Sequence, residues 1–595
     1  MTGFRIERDR FSRDSVTHWS KTQVTHDDWP VVYAIEGSRH VYIGESVNAA
    51  TRLRQHLESP KAALLDRFHV VLDDTFNKSV CLDLETYLIR LLNADQCFTV
   101  LNKQTNSRNS NYYDRALYRE RFAEIFEALK AEGLFSASKR LEDLENSNLF
   151  KLSPFVSLTQ TQALAVEQIL SVVRQSTATD RSRPIVVQGD PGTGKTVVGV
   201  FLAKLLADLQ DTFDPALDEA TLAEDTGEVL SSELKKLRIG FVVPQQSLRN
   251  TLKKVFEATP GLDSVPVITA FEAAEDSEGF DVLIVDEAHR LQQFSGALQT
   301  NSRRFRRINQ TLFPDDEEEG TQHTQLDWIR TKSRLPILLL DPKQSVRPMA
   351  DLPGPVVDAL INEARTEYRL IRLWTQMRSL AGDDYADYVV NSLTQQQEQR
   401  VEFVDYDLRF YDDIRRMRQD ILDRDAEMGL SRMLAGFAWP WISKKHKQTP
   451  DIMIDGLSMF WNRTDRDWIN SPTALEEVGC IHTSQGYDLN YAGVIIGPEL
   501  RWDESTRRTV FVRENFHDKN GSRNNVALGQ TFSDDDLLEY VVNVYRVLLT
   551  RGIRGTYIYV CDPALRERLR EFFPPPPHLP TIGDRRPPTD ARRHR

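Results

Sequence analysis

The sequence predicts an α/β fold: a small α/β unit at the front, then two parallel-sheet lobes. Three observations carry this. Between Val31 and about Asn102, short β-branched runs alternate with two segments of helical period. From about Leu158 to Asp562, apolar strand-like runs alternate with helix-length stretches, as in sheets whose parallel strands are joined by helical crossovers. At 595 residues the chain exceeds what one core can hold, so several domains are expected.

Composition narrows the class. The apolar and charged fractions, 40% and 27%, are those of an ordinary globular protein. There is no run of about 18 apolar residues and no signal-like N-terminus, so no membrane association and a cytoplasmic location are expected. The four cysteines, Cys81, Cys97, Cys480 and Cys561, are scattered and lack metal-ligand spacing, which suits a reducing compartment. The net charge of −13 means that nucleic acid would have to be met by a local basic surface.

The elements follow in order. Residues 1–27 read as an N-terminal arm. In "VVYAIEGSRHVYIGES", residues 31–35 and 41–43 predict a hairpin turning at 36–39, with Tyr33 and Tyr42 near one another and Gly44 leading to a helix. That helix carries Arg52 and His56 four residues apart, on one face. A strand near "FHVVLDD" and a helix, "CLDLETYLIRLLNA", complete the unit at 28–110, with Glu85 among apolar neighbours and Asn102 beyond. Residues 111–155 read as a helical connector, 136–148 of it polar. The lobes are assigned to 156–348 and 349–565. The Pro- and Arg-rich residues 566–595 predict a disordered tail. Acidic stretches at 211–228 and 314–320 read as solvated insertions or, alternatively, as mimics of a nucleic-acid backbone.

"PIVVQGDPGTGKT" is an apolar strand, a Gly-rich turn and the start of a helix. It fits G-x-x-x-x-G-K-[ST] over Gly189, Asp190, Pro191, Gly192, Thr193, Gly194, Lys195 and Thr196. Backbone N–H groups of such a turn wrap phosphates at a helix N-terminus. Lys195 would reach the β- and γ-phosphates of ATP, and Thr196 would hold Mg²⁺. "FDVLIVDEAHRL" ends a second apolar strand in Asp286, suited to the metal, and Glu287, suited to orienting the attacking water. His289 would couple hydrolysis to movement or serve the structure.

From here the chain resembles superfamily 1 helicases over residues 156–562. "LTQTQ" resembles the adenine-reading motif, with Gln162 as reader, and "FVVPQQSLRNTL" a first strand-contacting motif. "LLLDPKQSV" resembles the third motif, in which Gln344 senses the γ-phosphate. "WTQMRS" offers Arg378 and "NVYRVLLTRGIRGT" offers Arg551, the arginines that this family directs at the γ-phosphate. "VGCIHTSQG" resembles the fifth motif, with Thr483, Ser484, Gln485 and Gly486. The "DEAH" string alone would suggest superfamily 2, but that group's closing Q-R-x-G-R-x-G-R signature is absent. "LAGFAWPWISKK" with "FWNR" more narrowly resembles the Schlafen group three-like DNA/RNA helicase domain. The resemblance implies two RecA-like lobes. Trp439 and Trp441 would stack on bases or fill a core.

The opening unit resembles the GIY-YIG endonuclease domain over about residues 28–105. The resemblance makes Tyr33 and Tyr42 the motif tyrosines, Arg52 and His56 the cationic helix pair, Glu85 the Mg²⁺ ligand and Asn102 the late asparagine. The first motif departs from the family, reading Val31-Val32-Tyr33. A free tyrosine is a poor base at neutral pH, so Mg²⁺ and Arg52 would have to activate it or a bound water. The reading is an ATP-dependent nucleic-acid motor fused to a Mg²⁺-dependent endonuclease, with DNA favoured over RNA, in anti-phage defence or repair. A protein partner or homo-oligomer is compatible with it. The rivals are an NTP-gated sensor without unwinding and an assembly protein with a degenerate nuclease.

Overall fold

In the computed structural model the described residues are 3–21, 27–102, 112–175, 183–209, 237–296, 299–315, 320–345, 347–374, 381–382, 384–397, 399–463, 468–484, 488–518 and 521–577. They fall into two units, one of residues 1–378 with 428–430 and 518–544, the other of 379–427, 431–517 and 545–595.

The first unit opens with a five-stranded sheet: β1 (Arg5–Arg10), β2 (Asp27–Glu36), β3 (His40–Asn48), β4 (Arg67–Leu72) and β5 (Thr99–Val100), in the order β1-β4-β2-β3-β5. The expected hairpin is β2–β3, longer than read, with Tyr33 opposite Gly44 and Ile35 opposite Tyr42. Alternation sends Tyr33, Val31 and Ile35 to one face with Leu53 and Phe68. Val32, Ala34 and Ile43 face the helix Lys78–Asp95 instead. That helix starts at Asn77, whose side chain accepts from Val80 N, a favoured cap.

Residues 1–27 are not a free arm. β1 pairs antiparallel with β4, and the helix Arg13–Trp19 buries Val16 and Trp19 against the sheet. Trp19 Nε1 donates to Glu7 Oε2 at 2.8 Å. Nor is 111–155 only a connector. Phe122, Ile125, Phe126, Leu129 and Leu144 join the core behind the long helix, and the polar stretch contains the helix Leu141–Asn146. Burying five such side chains contributes on the order of 10 kcal/mol of apolar transfer free energy, so this segment is part of the unit.

A six-stranded, all-parallel sheet follows: β6 (Ile185–Gly189), β7 (Ile239–Val242), β8 (Val267–Ile268), β9 (Phe280–Val285), β10 (Ser333–Leu340) and β11 (Leu370–Leu373), ordered β11-β6-β10-β9-β7-β8. The near-continuous apolar runs reflect burial on both faces. The boundary at 348/349 is corrected, because β11 pairs with β6 and residues beyond 348 complete this sheet.

The second unit is built on β12 (Asp407–Tyr411), β13 (Ser431–Ala435), β14 (Ile452–Ile454), β15 (Leu457–Trp461), β16 (Glu477–Gly479), β17 (Leu489–Ile496) and β20 (Gly552–Val560). Their order is β12-β20-β17-β13-β16-β15-β14, parallel except for the β14–β15 hairpin. A separate ribbon joins β18 (Leu500–Asp503) to β19 (Arg508–Phe511). The tail reading is corrected over 566–577. The helix Pro563–Leu569 continues past Asp562, Phe572 and Phe573 are buried, and Phe410 N donates to Pro574 O at 2.7 Å. Residues 578–595 and 211–228 lie outside the described residues, as do 316–319 of the second acidic stretch.

Candidate functional site

Two constellations form within the first unit. At the end of β6 the chain makes the Gly-rich turn and enters the helix Lys195–Asp208. Gly192 (φ 89°) and Gly194 (φ 78°) take left-handed backbone that a side chain would disfavour. Gly189 is required for another reason: a Cβ there would lie 2.4 Å from Thr193 Oγ1. Lys195 is buried, and its ammonium donates to the carbonyls of Gly189 (2.7 Å) and Asp190 (3.0 Å). Gln162 Nε2 donates to Thr193 O at 3.0 Å and its Oε1 accepts from Thr159 N at 3.1 Å. The residue read as an adenine reader therefore also fixes the turn.

The strand order sets β9 one strand away from β6, with β10 between. Thr196 Oγ1 donates to Asp286 Oδ2 at 2.8 Å. Burial pushes the Asp286 carboxyl up, Glu287 adds to the rise, and the Thr196 hydroxyl and Lys195 oppose it. Burial acts to raise Glu287 as well, but His289, Arg290 and Lys195 outweigh it and hold this carboxyl well below the usual range. His289 Nε2 lies 3.2 Å and Arg290 Nε 3.6 Å from Glu287 Oε2. Glu287 itself sits at φ 53°, a costly backbone for a non-glycine residue and one that recurs at functional sites.

Sequence reasoning missed the residue that links these parts. Asp341, just past β10, donates its N–H to His289 Nδ1 at 3.3 Å and accepts from Gln344 Nε2 at 2.9 Å. Its only sequence signal was its place in "LLLDPKQSV". Arg378, Gln485 and Gly486 lie outside the described residues. In the second unit, Arg551 is buried and its Nε donates to Val547 O at 3.1 Å. Thr483 and Ser484 are buried and return their hydroxyls to Cys480 O. Trp441 is half-buried and packs edge-on against Trp461 at 5.9 Å.

The other constellation lies on the opening sheet. Tyr33 is 1% exposed, and its hydroxyl meets His56 Nε2 at 2.9 Å. The Tyr42 ring lies 4.4 Å from the His56 ring and 6.3 Å from that of Tyr33. Gly44 makes this possible, because a Cβ there would lie 2.4 Å from Tyr33 Cζ and its hydroxyl oxygen. Asn102 clamps the same strand, accepting from Ile43 N at 3.0 Å and donating to Ile43 O at 2.7 Å. Arg52 is buried, with Nη1 donating to Gln55 Oε1 at 2.9 Å.

The electrostatics of this pocket follow from its dryness. Burial lowers His56 to about 3, and Arg52 and Lys61 push the same way, so the imidazole is neutral and resists protonation. Burial raises Tyr33 well above its ordinary value, Tyr42 adding and Arg52 opposing. Arg52 therefore offsets the rise in Tyr33 but does not overcome it. Burial pushes Glu85 up to about 8, with Glu45 adding and Lys78 and Arg52 opposing. Glu45, bridged by Lys78 Nζ at 2.5 Å, was not anticipated as a neighbour.

A divalent cation fits both donor sets chemically. Thr196 and Asp286 form a hydroxyl–carboxylate pair, and Glu85 is a buried carboxyl whose charged form lacks solvation. Among the described residues no group of three or more His, Cys, Asp or Glu gathers at one metal position, and no helix is long and apolar enough to cross a membrane.

An uncharacterised protein of Saccharomyces cerevisiae is 26% identical over 450 residues, covering 70% of this chain and 90% of that protein. The ATP-dependent DNA helicase RecG of Synechocystis is 32% identical over 145 residues, 23% of this chain and 17% of RecG. This chain thus spans about a sixth of RecG. Among solved structures, Mss116p bound to single-stranded RNA and AMP-PNP aligns at a TM-score of 0.28 and 10% identity, over 68% of this chain and 73% of that one. That likeness is too loose to bear on the reading. Residues 182–562 match the Schlafen group 3 DNA/RNA helicase domain along its phosphate turn, its Asp-Glu strand and the sheet of the second unit, and the chain belongs to that family.

Proposed function

We propose that the chain is an ATP-hydrolysing nucleic-acid motor whose N-terminal sheet carries a Mg²⁺-dependent endonuclease, with DNA favoured over RNA. Family membership supports the motor. Lys195 and the turn's N–H groups would bind the phosphates, Thr196 and Asp286 would hold Mg²⁺, and Glu287, kept ionised by His289 and Arg290, would orient the attacking water. Gln344 is tied to Asp341, and through it to His289, which gives a bonded route by which the phosphate end can bias the rest of the lobe.

One observation carries the nuclease: Tyr33, Tyr42 and His56 converge on one face of the opening sheet, and Arg52 and Glu85 are near enough to bias the Tyr33 hydroxyl. Neutral His56 orients the Tyr33 hydroxyl through their hydrogen bond, and Arg52 offsets charge building on the phosphate. Glu85 would hold Mg²⁺, which would supply Lewis-acid stabilisation of the phosphoryl oxygens. A role in anti-phage defence or repair, and a protein partner or second copy, belong to the same proposal.

The test offers labelled single-stranded, duplex, forked and circular DNA and RNA with Mg²⁺, with and without ATP, to wild type and three variants. Lys195→Ala abolishes ATP hydrolysis and leaves the cutter folded. Glu85→Ala and Tyr33→Phe abolish cutting and leave ATP hydrolysis intact. Undiminished cleavage in Glu85→Ala would remove the nuclease assignment, and persisting ATPase in Lys195→Ala would remove the phosphate turn.

A further inference from the structure

Beyond the parallel-sheet motifs, the second unit carries a compact basic turn between β13 and β14. Residues Lys444, Lys445, His446 and Lys447 are consecutive and all exposed. The turn is fixed from within: Lys445 N and His446 N both donate to Ile442 O, at 3.1 and 3.0 Å, and Thr449 N donates to His446 O at 2.9 Å. Asp451 is the nearest carboxylate in the segment, and it is buried and committed to the backbone. Its two oxygens accept from Ser443 N (2.7 Å) and Trp461 N (2.8 Å), which staples the turn to the end of β15. Arg463, just past β15, donates to Lys447 O at 3.1 Å. No ion pair joins Lys444, Lys445 or Lys447 to a carboxylate among the described residues.

Aromatic side chains hold this surface in place. Lys444 Nζ sits 4.6 Å from the centre of the Trp441 ring, a cation–π distance. Trp441 in turn abuts Trp461, itself 2% exposed. The Trp441 indole is therefore a pedestal under the ammonium and not an open stacking platform. The turn lies beyond the carboxyl ends of β13 and β15, the edge at which parallel sheets present ligand sites.

We propose that residues 442–449 form a phosphate-contacting element for a nucleic-acid strand, with Lys444, Lys445 and Lys447 neutralising the backbone and Trp441 fixing their position. The proposal rests on the motor reading and adds a contact not so far assigned to Lys444, Lys445 or Lys447. The chain's net charge of −13 gives no general attraction for a polyanion, so a local basic cluster must supply it. A strand is favoured over a lipid surface because three lysines stand against a single exposed large apolar side chain in the turn, Ile442 at 38%, while the Trp441 ring is engaged on Trp461 and Lys444.

The experiment measures binding of fluorescein-labelled oligo-dT and oligo-U to the full chain by anisotropy, in EDTA, from low to physiological salt. Changing Lys444, Lys445 and Lys447 together to Ala weakens binding tenfold or more at low salt. It also flattens the log K against log salt slope by about 2, since each single-strand phosphate contact contributes roughly 0.7. Basal ATP hydrolysis without nucleic acid is unchanged, and the Lys→Arg triple restores both affinity and slope. Equal slopes for wild type and the Ala triple would overturn the proposal while leaving the motor intact. A wild type that binds neither strand would instead take down the motor reading together with this one. Loss of sedimentation with phosphatidylcholine–phosphatidylserine vesicles, with oligonucleotide binding unaltered, would assign the turn to lipid and overturn it as stated.

Discussion

Gly44→Ala should dismantle the tyrosine pocket without touching a polar group. A Cβ at this position lies 2.4 Å from Tyr33 Cζ and its hydroxyl oxygen, about 1 Å inside ordinary van der Waals contact at 3.4 Å. Tyr33 is 1% exposed and has no empty space behind it, since His56 and Tyr42 close that side. Either the ring tip or β3 must move by that amount, and the 2.9 Å bond from Tyr33 to His56 stretches past hydrogen-bonding range. Overpacking costs about 1–3 kcal/mol and an orphaned buried hydroxyl about 1–3 kcal/mol, so the local cost is on the order of 2–6 kcal/mol. Amide hydrogen exchange reads this locally: protection of β2 and β3 should fall by roughly 30-fold or more, with β6 and β9 unaffected. Nucleic-acid cleavage should vanish while ATP hydrolysis stays. Adding Tyr33→Ala to Gly44→Ala should cost less than the two singles combined, because the clash is shared. Wild-type protection of β2 and β3 in Gly44→Ala would refute the packing argument.

Glu85 holds its proton to about 8 when folded, against 4.5 for an ordinary glutamate. The stability that the protonated form contributes is present below about pH 4.5 and is lost as pH rises through 8. In metal-free buffer, Glu85→Gln should abolish a loss of a few kcal/mol across that window, read as the melting midpoint of the N-terminal sheet; parallel profiles for the two proteins would contradict it. His56 runs the other way, with a folded value of about 3 against 6.5, so its stability contribution is lost as pH falls from 6.5 toward 3. His56→Phe should reduce that acid lability, and an unchanged acid midpoint would count against a buried neutral imidazole. In the second unit, Gly479→Ala drives a Cβ to 2.4 Å from Trp468 Cη2. It should lower exchange protection of β16 by about 1–3 kcal/mol, and Trp468→Leu should recover part of it; no change in β16 would rule out the close approach.

The pocket and the phosphate turn were legible because their chemistry is tied to spacing. Arg52 and His56 share a helix face by period, and the Gly-rich turn carries its own backbone requirement. What stayed hidden depends on strand order or on edges. Nothing local tells that β10 would lie between β6 and β9, so the His289–Asp341–Gln344 link could not be read. Glu45 and Lys78 reach Glu85 only after the sheet and the long helix pack. β11 is four residues long and offers too little periodicity to register. "RIERDR" lacked the apolar alternation of a strand because β1 is an edge strand with no fully buried residue. The proline run after Phe573 masked two core phenylalanines just ahead of it.

That edge strand has a consequence for anyone trimming the chain. The opening sheet ends on one side in the two-residue β5 and on the other in β1, where five of six side chains are charged. Short edges and charged edges both deter strand-on-strand association between molecules. A chain begun at residue 28, where the tyrosine pattern first becomes visible, would uncover β4, whose "FHVVL" is buried in the intact protein. Its bare backbone would then be a template for the next copy. The first ten residues lie outside the tyrosine pocket, yet through β1 they cap the backbone edge of β4.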